Sequence, residues 1–254
     1  DDTFERAFRH DTGITARDIY QENIKDIESL KLNNRRLVDI SDLALFPNLK
    51  ELDLGNNQIT DITPLLGLEH LTTVKLGGNP IEDYSVLRKM PNLTNLEING
   101  SELEDLSFLT GLTNLKKLVL GRNRIKDISV LGGLTGLRDL EIGGNEIEDI
   151  SALAGLEGLT VLYLSENRIS DLSPISGLVK LKTLTASENQ IVDVTPLGGL
   201  TNLTVLKLES NLINDVTALS GLQKLEKLFI GKNKLMQDQI EELKTQLEGC
   251  AIEY

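Results

Sequence analysis

The residues best suited to chemistry form a column of carboxylates that recurs along the chain. Calcium binding needs several oxygens that converge on one point, whereas a fixed spacing distributes single carboxylates along the molecule. An Asp two residues before a hydroxyl residue is typical of a capped turn, so we predict that each Asp opens a one-turn helix rather than a metal site. Nine aspartates lie 22 residues apart, each followed two positions later by Ser or Thr: Asp39, Asp61, Asp83, Asp105, Asp127, Asp149, Asp171, Asp193 and Asp215.

Other candidates for catalysis lack the partners that catalysis requires. The two histidines, His10 and His70, have no nucleophile and no metal-ligand spacing around them. Asp139 and Glu141 are paired carboxylates, but they belong to an exposed segment without a water-excluding cleft that would raise a pKa. We therefore expect no catalytic residue, no metal site, no cofactor and no enzymatic activity.

The composition restricts the classes of partner. The chain has 254 residues, a formal net charge of −13 and a pI of about 4.7. Nucleic-acid binding requires basic residues clustered on one face, so we expect no nucleic-acid partner. One cysteine, Cys250, excludes an intramolecular disulfide. No segment approaches the roughly 18 consecutive apolar residues of a membrane span, and the start at Asp1 without Met suggests a processed or trimmed terminus.

Leucine recurs with a constant period that organises the whole chain. Within each unit, aliphatic residues also recur at positions four, six, eleven, fourteen, seventeen and twenty, which gives the template LxxLxLxxNxIxDIxxLxxL. A period of 20 to 29 residues with this pattern is the signature of leucine-rich repeats, in which each unit is one coil of a solenoid. Coils 2 to 10 begin at Leu49, Leu71, Leu93, Leu115, Leu137, Leu159, Leu181, Leu203 and Leu225, and Ile27 begins coil 1.

The positions within a coil predict its local structure. Positions four and six flank an outward residue, which is the alternation of a short strand, and stacked coils pair these strands into one parallel sheet. We predict an α/β repeat solenoid, a right-handed superhelix with a concave parallel sheet, a convex side of short 3-10 turns and helical caps at both ends. Ala186 replaces the usual Leu or Ile at position six, and we assign it no role.

Asparagine occupies position nine in eight of the ten coils, where the chain leaves the strand. The amide offers donors and an acceptor to backbone groups of its own coil and the neighbouring coil, so we predict a structural ladder. At Ser101, which lacks that reach, we expect a water or a locally looser turn. Seven coils carry Gly at position nineteen, which predicts a left-handed end to the return turn: Gly67, Gly111, Gly133, Gly155, Gly177, Gly199 and Gly221.

Both ends of the array carry amphipathic segments that are able to cover it. Phe4, Ala7 and Phe8 have helical spacing, and Thr15 with Asp18 predicts a second short helix. At the other end, one apolar stripe predicts a helix: Met236, Ile240, Leu243 and Leu247. We expect one leucine-rich-repeat domain over residues 1–254, with an N-terminal cap over 1–26, about ten repeats over 27–234 and a C-terminal cap over 235–254.

Units such as "LTNLKKLVLGRNRIKDISVLGGL" and "LTNLTVLKLESNLINDVTALSGL" resemble the 22-residue leucine-rich repeats of bacterial internalins. The segment "FERAFRHDTGITARDI" is similar to the helical cap that precedes such repeats in bacterial surface proteins. This resemblance implies a non-enzymatic protein-interaction module, namely a surface or secreted adhesin or recognition protein located on or outside a bacterium, which binds a protein on its concave sheet.

Two other functions fit the same repeat template. The first is a cytoplasmic regulatory subunit that docks on a phosphatase or another enzyme. The second is a scaffold that mainly self-associates, which predicts a concentration-dependent dimer, whereas we expect a monomer. A signal peptide or lipobox upstream in the full-length gene product would distinguish the surface protein from the cytoplasmic one.

Outward positions three, five, seven and eight of each coil form the concave face. In the first four coils position five alternates in charge, which predicts ion pairs between neighbouring strands. Further along, apolar residues lie among charged ones, and aromatic anchors on a rigid sheet are typical of interfaces. Glycines at positions seven and eight either ease the turn or let a partner approach. The predicted protein-binding residues are Val119, Asp139, Glu141, Val161, Tyr163, Thr185, Val205, Lys207 and Phe229.

Overall fold

A computed structural model describes residues 2–15 and 24–254. Its strands pair in parallel and in chain order to form one 11-stranded sheet. Neighbouring strands are in register at equivalent repeat positions, so that Leu118 lies opposite Leu140. The strands are β1 Ser29–Lys31, β2 Glu51–Asp53, β3 Thr73–Lys75, β4 Asn95–Glu97, β5 Lys117–Val119, β6 Asp139–Glu141, β7 Val161–Tyr163, β8 Thr183–Thr185, β9 Val205–Lys207, β10 Lys227–Phe229 and β11 Ala251–Glu253.

The aliphatic positions of the repeat form one continuous core. Leu140 is buried between the outward-facing Asp139 and Glu141, and the same alternation recurs in the other repeat strands except β5, where Val119 is also buried. Ala186 is fully buried in this core. The predicted fold class, a leucine-rich-repeat solenoid with a concave sheet and helical caps, is confirmed.

Short 3-10 helices form the opposite side of the solenoid. Each follows an Asp that accepts the backbone N–H of the Ser or Thr two residues later; Asp171 accepts both the N–H and the hydroxyl of Ser173, at 2.7 and 2.8 Å. These bonds lower the pKa of several of the aspartates, including Asp39, Asp83 and Asp127. The capping role is confirmed. The 3-10 helices are Ser41–Leu45, Thr63–Gly67, Ser85–Lys89, Ser107–Leu109, Ser129–Gly133, Ser151–Leu153, Ser173–Ile175, Thr195–Leu197 and Thr217–Gly221.

The prediction for the position-nineteen glycines is wrong in six of the seven coils. Only Gly111 has a left-handed backbone, with φ of +90°. The return turns instead end through a bond between residues three apart, as where the Leu68 N–H donates to Leu65 O at 3.0 Å. Because this ending keeps φ negative, no glycine is needed for it.

The asparagine ladder is confirmed. The Asn145 side-chain amide donates to Ile142 O in its own coil at 3.0 Å and to Leu120 O in the preceding coil at 3.1 Å, while its Oδ1 accepts the Ile125 N–H at 3.1 Å. Each rung thus satisfies buried backbone groups of two coils and ties them together. The same three bonds recur at Asn57, Asn79, Asn123, Asn167, Asn189, Asn211 and Asn233.

The turn at Ser101 differs from the regular turns, while the water or looser turn expected there stays a prediction. The Ser101 hydroxyl accepts the Gly78 N–H at 3.1 Å and donates to Asn99 O at 3.3 Å. In addition, Glu102 at position ten is left-handed, with φ of +55°. Arg36 has the same conformation in coil 1, which is the other coil without Asn at position nine. Both coils that lack Asn at position nine therefore adopt the same altered turn, with a left-handed residue at position ten.

Large side chains accompany the altered turn. The rings of Tyr84 and Phe108 stack with centroids 5.2 Å apart, at positions where other coils carry smaller residues. The Tyr84 hydroxyl is buried and approaches Ser101 without a well-formed hydrogen bond, and burial raises its pKa. A cavity of about 900 Å³ lies beside this pair.

Helices cover both ends of the array. Helix α1, Asp2–Thr12, packs Phe4 and Phe8 against Phe46, with ring centroids 6.1 and 5.2 Å apart. The second N-terminal helix predicted from Thr15 and Asp18 lies outside the described residues. Helix α2, Gln237–Gln246, precedes β11, which extends the sheet by one strand.

The apolar stripe predicted for α2 is right at three of its four positions. Ile240, Leu243 and Leu247 are buried, but Met236 is 63% exposed. Met236 lies at the N-cap with an extended backbone, so the helical spacing that placed it on the buried face does not apply there. Over residues 2–15 and 24–254, no helix is long and apolar enough to cross a bilayer.

Candidate functional site

The concave sheet carries a cavity of about 710 Å³ that spans coils 4 to 9. Parallel strands in exact repeat register bring position three or five of successive coils side by side, so residues 22 apart in sequence become neighbours. Five of the nine predicted binding residues line the cavity: Glu141, Tyr163, Thr185, Val205 and Lys207.

Three of the other predicted residues lie on the same face but outside the cavity lining. Asp139 and Val161 are half-buried at position three of β6 and β7. Phe229 is half-buried in β10, and the Lys207 Nζ lies 4.7 Å from the centre of its ring. Since this cation covers one ring face, Phe229 presents less apolar surface than the sequence suggests.

The expectation that Val119 exposes apolar surface is wrong. Val119 is only 6% exposed, although it does not belong to the continuous core formed by the aliphatic repeat positions. Its register neighbours on the concave face are Glu97 and Glu141. Residues opposite one another on neighbouring strands are close enough to cover a shorter side chain between them, an effect that repeat position alone does not predict.

Several polar residues of the cavity were missed by the prediction. The signal was present, since they occupy outward repeat positions three, seven and eight, but at position three only Asp139, Val161 and Val205 were predicted to bind, and at positions seven and eight no residue was. They are Asn99, Arg122, Thr183, Ser165 and Glu166.

Glycines leave the rim of the cavity without side chains. A Cβ at Gly143 would lie 3.0 Å from Ser165 O of the next coil, and Gly144 has φ of +68°. Packing between coils and the left-handed turn thus account for these two glycines. The open rim is a consequence of that packing.

The charges that line the cavity balance. Arg122 and Lys207 oppose Glu141 and Glu166. This local neutrality contrasts with the net charge of −13 of the chain. An uncharged or mixed contact surface therefore meets no net repulsion in the cavity.

On the sheet of the first four coils, some charged side chains form ion pairs with each other. Lys75 and Glu97 form an ion pair at 3.3 Å, as predicted for neighbouring strands. Asp53 accepts the Gly55 N–H at 3.0 Å, and it forms no ion pair with Lys31 in the described part of the chain. Only one step of the expected series of alternating charges is therefore an ion pair.

The histidines are exposed and lie apart from the concave cavity. His10 in α1 lies 2.7 Å from the Arg35 guanidinium, and His70 is in a turn between coils. Within residues 2–15 and 24–254, no group of three or more His, Cys, Asp or Glu side chains is arranged to hold a metal ion.

The family of leucine-rich repeats in tandem pairs matches residues 25–67, 47–89, 113–155, 157–199 and 179–221, which is well over half of the chain. The unmatched interval between residues 89 and 113 contains Ser101 and its altered turn. The chain is also 33% identical to the crystal structure of internalin C2 from Listeria monocytogenes, over 92% of this chain and 93% of that one, with a TM-score of 0.63. The chain belongs to the internalin-type leucine-rich-repeat family.

Two further structures place this internalin-type protein among related folds. Internalin InlF from Listeria monocytogenes is 29% identical, over 99% of this chain and 88% of that chain, with a TM-score of 0.71. The Arabidopsis receptor kinase HAESA, solved with the peptide hormone IDA and the co-receptor SERK1, is 24% identical over 83% of this chain and 39% of that chain, with a TM-score of 0.72, and shares the fold alone. No curated protein matches the sequence.

Membership of this family sets the class of function. The leucine-rich-repeat fold is a protein–protein interaction module, and internalin-type members are binding scaffolds rather than enzymes. The open sheet and balanced cavity of this internalin-type protein agree with that class.

Proposed function

We propose that this internalin-type protein is a bacterial surface or secreted recognition protein that binds a protein partner on its concave sheet. The observation that carries the proposal is the cavity over coils 4 to 9, in which Tyr163 and Val205 offer apolar surface and the two basic residues of the lining balance its two acidic residues. A rigid sheet loses little conformational entropy when it binds, so a few such anchors are enough for specific recognition.

The related structures support this assignment of the surface. Two internalins from Listeria monocytogenes share the fold over nearly the whole chain, which favours a bacterial protein exported to the surface. HAESA, which shares the fold alone, was solved in complex with a peptide hormone and a co-receptor. Extension of both properties to this chain is part of the proposal.

Matched variants test the binding site. Purified wild-type protein, Tyr163→Glu, Val205→Glu and Val192→Glu are immobilised and exposed to secreted and cell-surface protein mixtures, and the captured proteins are quantified by mass spectrometry. Val192→Glu is the control, since Val192 is an exposed valine, 46% accessible, away from the concave sheet.

We expect one or more proteins to be enriched equally by the wild type and by Val192→Glu, and to be lost with Tyr163→Glu and Val205→Glu. Equal capture by all four would place the interface off the concave sheet. Circular dichroism of each variant checks that the fold is unchanged.

Cell fractionation tests the location. In the bacterium that encodes the chain, a surface protein is removed by protease added to intact cells, and a secreted one is found in the medium. A protein found only in the cytoplasm would favour the regulatory subunit that docks on an enzyme.

We also propose that the repeats and both end segments form one domain. The unbroken 11-stranded sheet supports this, because a break would divide the ladder of backbone bonds. A single cooperative unfolding transition, with the same midpoint by circular dichroism and by Tyr fluorescence, is the expected result.

A further inference from the structure

In this strongly acidic protein, several basic residues lie close together at the N-terminal ends of the strands, which form one edge of the concave face. Strands β5, β6 and β8 are parallel, so the residues at or just before their first positions meet at the edge where the strands begin, beside the concave cavity. All of these residues are exposed. We call this group the cationic strip; it consists of Lys116, Lys117, Arg138, Lys180 and Lys182.

Backbone hydrogen bonds fix the spacing of the cationic strip. The Arg138 N–H donates to Lys116 O at 2.8 Å, the Thr160 N–H to Arg138 O at 2.8 Å and the Lys182 N–H to Thr160 O at 2.9 Å. These four residues are thus consecutive rungs of one row. At about 4.8 Å for each strand step, the row spans roughly 14 Å from Lys116 to Lys182.

The cations of the strip differ from Arg124, Lys126 and Arg168 at the opposite edge. At the opposite edge, Arg124 pairs with Glu102 at 3.2 Å, and Glu146 pairs with Lys126 at 3.8 Å and with Arg168 at 2.9 Å. By contrast, none of the five cations of the strip forms an ion pair with any residue in the described ranges. The strip therefore keeps its positive charge available in a chain whose net charge is −13.

Arg138 is held in a position suited to a carboxylate. Its Nη1 donates to Gly136 O at 3.1 Å and Leu137 O at 2.9 Å, and its guanidinium occupies the space that a side chain at Gly158 would fill. The Nε and Nη2 atoms, which form the other edge of the fork, donate to no acceptor in the described part of the chain. In proteins generally, such an edge of an Arg side chain pairs with a carboxylate through two parallel hydrogen bonds.

We infer that the cationic strip docks an acidic peptide segment of the protein partner, with a carboxylate on the free edge of Arg138. The inference rests on the proposed function, because the strip continues directly into the cavity: Thr183, which lines the cavity, follows Lys182. An extended segment laid along the row places alternate side chains on one side at about 6.6 Å intervals, so three alternate acidic residues span it.

Charge complementarity favours a protein segment over a long polyanion. The row is only four rungs long, and Asp139, Glu141 and Glu157 lie around it. A nucleic acid or a sulfated glycan extends beyond the strip with continuous negative charge and meets these carboxylates. A peptide places its acidic groups only where the cations are, and its apolar residues next to Val161 and Val205.

Defined probes test the inference on the full chain by fluorescence anisotropy. The main probe is a labelled twelve-residue peptide with glutamates at three alternate positions and a neighbouring Leu; its control has glutamines instead. A heparin oligosaccharide and a short DNA duplex serve as polyanion probes. The variants are Arg138→Ala/Lys182→Ala and, with the same change of net charge, Arg124→Ala/Lys126→Ala at the opposite edge.

We expect the glutamate peptide to bind the wild type about tenfold more tightly than the glutamine peptide, with an affinity that falls as salt rises. Arg138→Ala/Lys182→Ala weakens that binding about fivefold to tenfold, and Arg124→Ala/Lys126→Ala changes it less than about twofold. All four cations are exposed, so both variants fold.

Three results would overturn the inference: equal or absent binding of the two peptides, equal effects of the two double variants, or strip-dependent binding of heparin or DNA without that of the peptide. The third result makes the strip a polyanion site. The capture experiment with Val205→Glu is independent, so the strip can fail while the concave binding site stands.

Discussion

The regular coils 5 to 9 and the junction of coils 3 and 4 differ in how the turn after the strand is joined to the neighbouring coil. In the regular coils, one Asn amide joins the backbones of two coils with three or more hydrogen bonds. At the junction, Ser101 makes two bonds, a second left-handed residue alters the turn, and the stacked rings of Tyr84 and Phe108 fill the adjacent space. Hydrogen bonds to the backbone dominate in the regular coils, and aromatic packing dominates at the junction.

This difference means that the same repeat position contributes different energies in different coils. A leucine-rich repeat tolerates loss of a ladder residue where nearby side chains take over the contact between coils. Four perturbations test this, ordered from the largest expected effect to the smallest.

Phe108→Ala should have the largest effect. Phe108 is 4% exposed, and removal of a buried aromatic ring leaves a cavity that costs about 3 kcal/mol of the free energy of unfolding. Val130→Ala alters the same repeat position in coil 5, where the side chain is only partly buried, and should cost less than about 1 kcal/mol. Chemical denaturation measures both values. Equal losses would show that the junction has no special dependence on its aromatic pair.

Removal of the ladder side chain should distinguish the two regions next. Asn145→Ala leaves buried backbone groups of two coils without partners and should cost about 1 to 3 kcal/mol. Ser101→Ala removes two weaker bonds at a part-buried site and should cost less than about 1 kcal/mol. Thermal melts of both variants provide the measurement. If the melting curve of Asn145→Ala matched that of the parent, it would refute the ladder.

Glycine at position ten should have opposite effects in the two regions. Glu102 has φ of +55°, so Glu102→Gly relieves a left-handed non-glycine residue and should be neutral or stabilise by up to about 1 kcal/mol. Glu146, at the same position in coil 6, has no such strain, and both residues form an ion pair with an Arg of the next coil, at 3.2 Å for Glu102 and 2.9 Å for Glu146, so the backbone conformation is the difference between them. Glu146→Gly should therefore destabilise by about 0.5 to 1 kcal/mol, and urea midpoints compare the two. A loss at both sites would contradict the strained turn.

Acidification should lower the stability of the two regions alike, and the effect of each aspartate should be the smallest of the four. Hydrogen bonds from Ser107 and Ser129 lower the folded-state pKa of Asp105 and Asp127 below the ordinary value of 3.8. A lowered pKa stabilises the fold above 3.8, and this contribution is lost as the pH falls through the folded-state pKa.

Unfolding midpoints measured between pH 7 and pH 2 should therefore fall below about pH 4. Asp105→Asn and Asp127→Asn should each reduce that fall by a similar small amount. A larger effect at Asp105 would mean that the junction also depends on its cap.

The fold and the ladder could be predicted because the same local chemistry recurs in every coil. Leucine spacing determines which side chains are buried, and Asn123 or Asp127 interacts with backbone only a few positions or one coil away. The burial of Val119 could not be predicted from its repeat position, because exposure on the concave face also depends on the side chains of neighbouring coils.

The remaining errors also come from geometry that repeat position does not contain. The glycines at position nineteen keep negative φ because the return turn ends within three residues, and Met236 is exposed because α2 begins at it. At the concave site, the sequence identified Tyr163 and Val205 but not Arg122 and Asn99, since the cavity depends on how far the rim side chains reach.

Position eight has a consequence for how such proteins diversify. Its φ lies between +54° and +68° in all ten coils, whether the residue is Gly144, Arg122, Glu166, Ser210 or Lys232. The chain path at this rim is therefore indifferent to the chemistry of the side chain, and each non-glycine occupant carries a similar penalty of about 1 kcal/mol. Mutation can accordingly exchange an acidic, basic, hydroxyl or glycine residue along a row of equivalent backbone positions. Such a protein can therefore acquire new ligands while its fold stays the same.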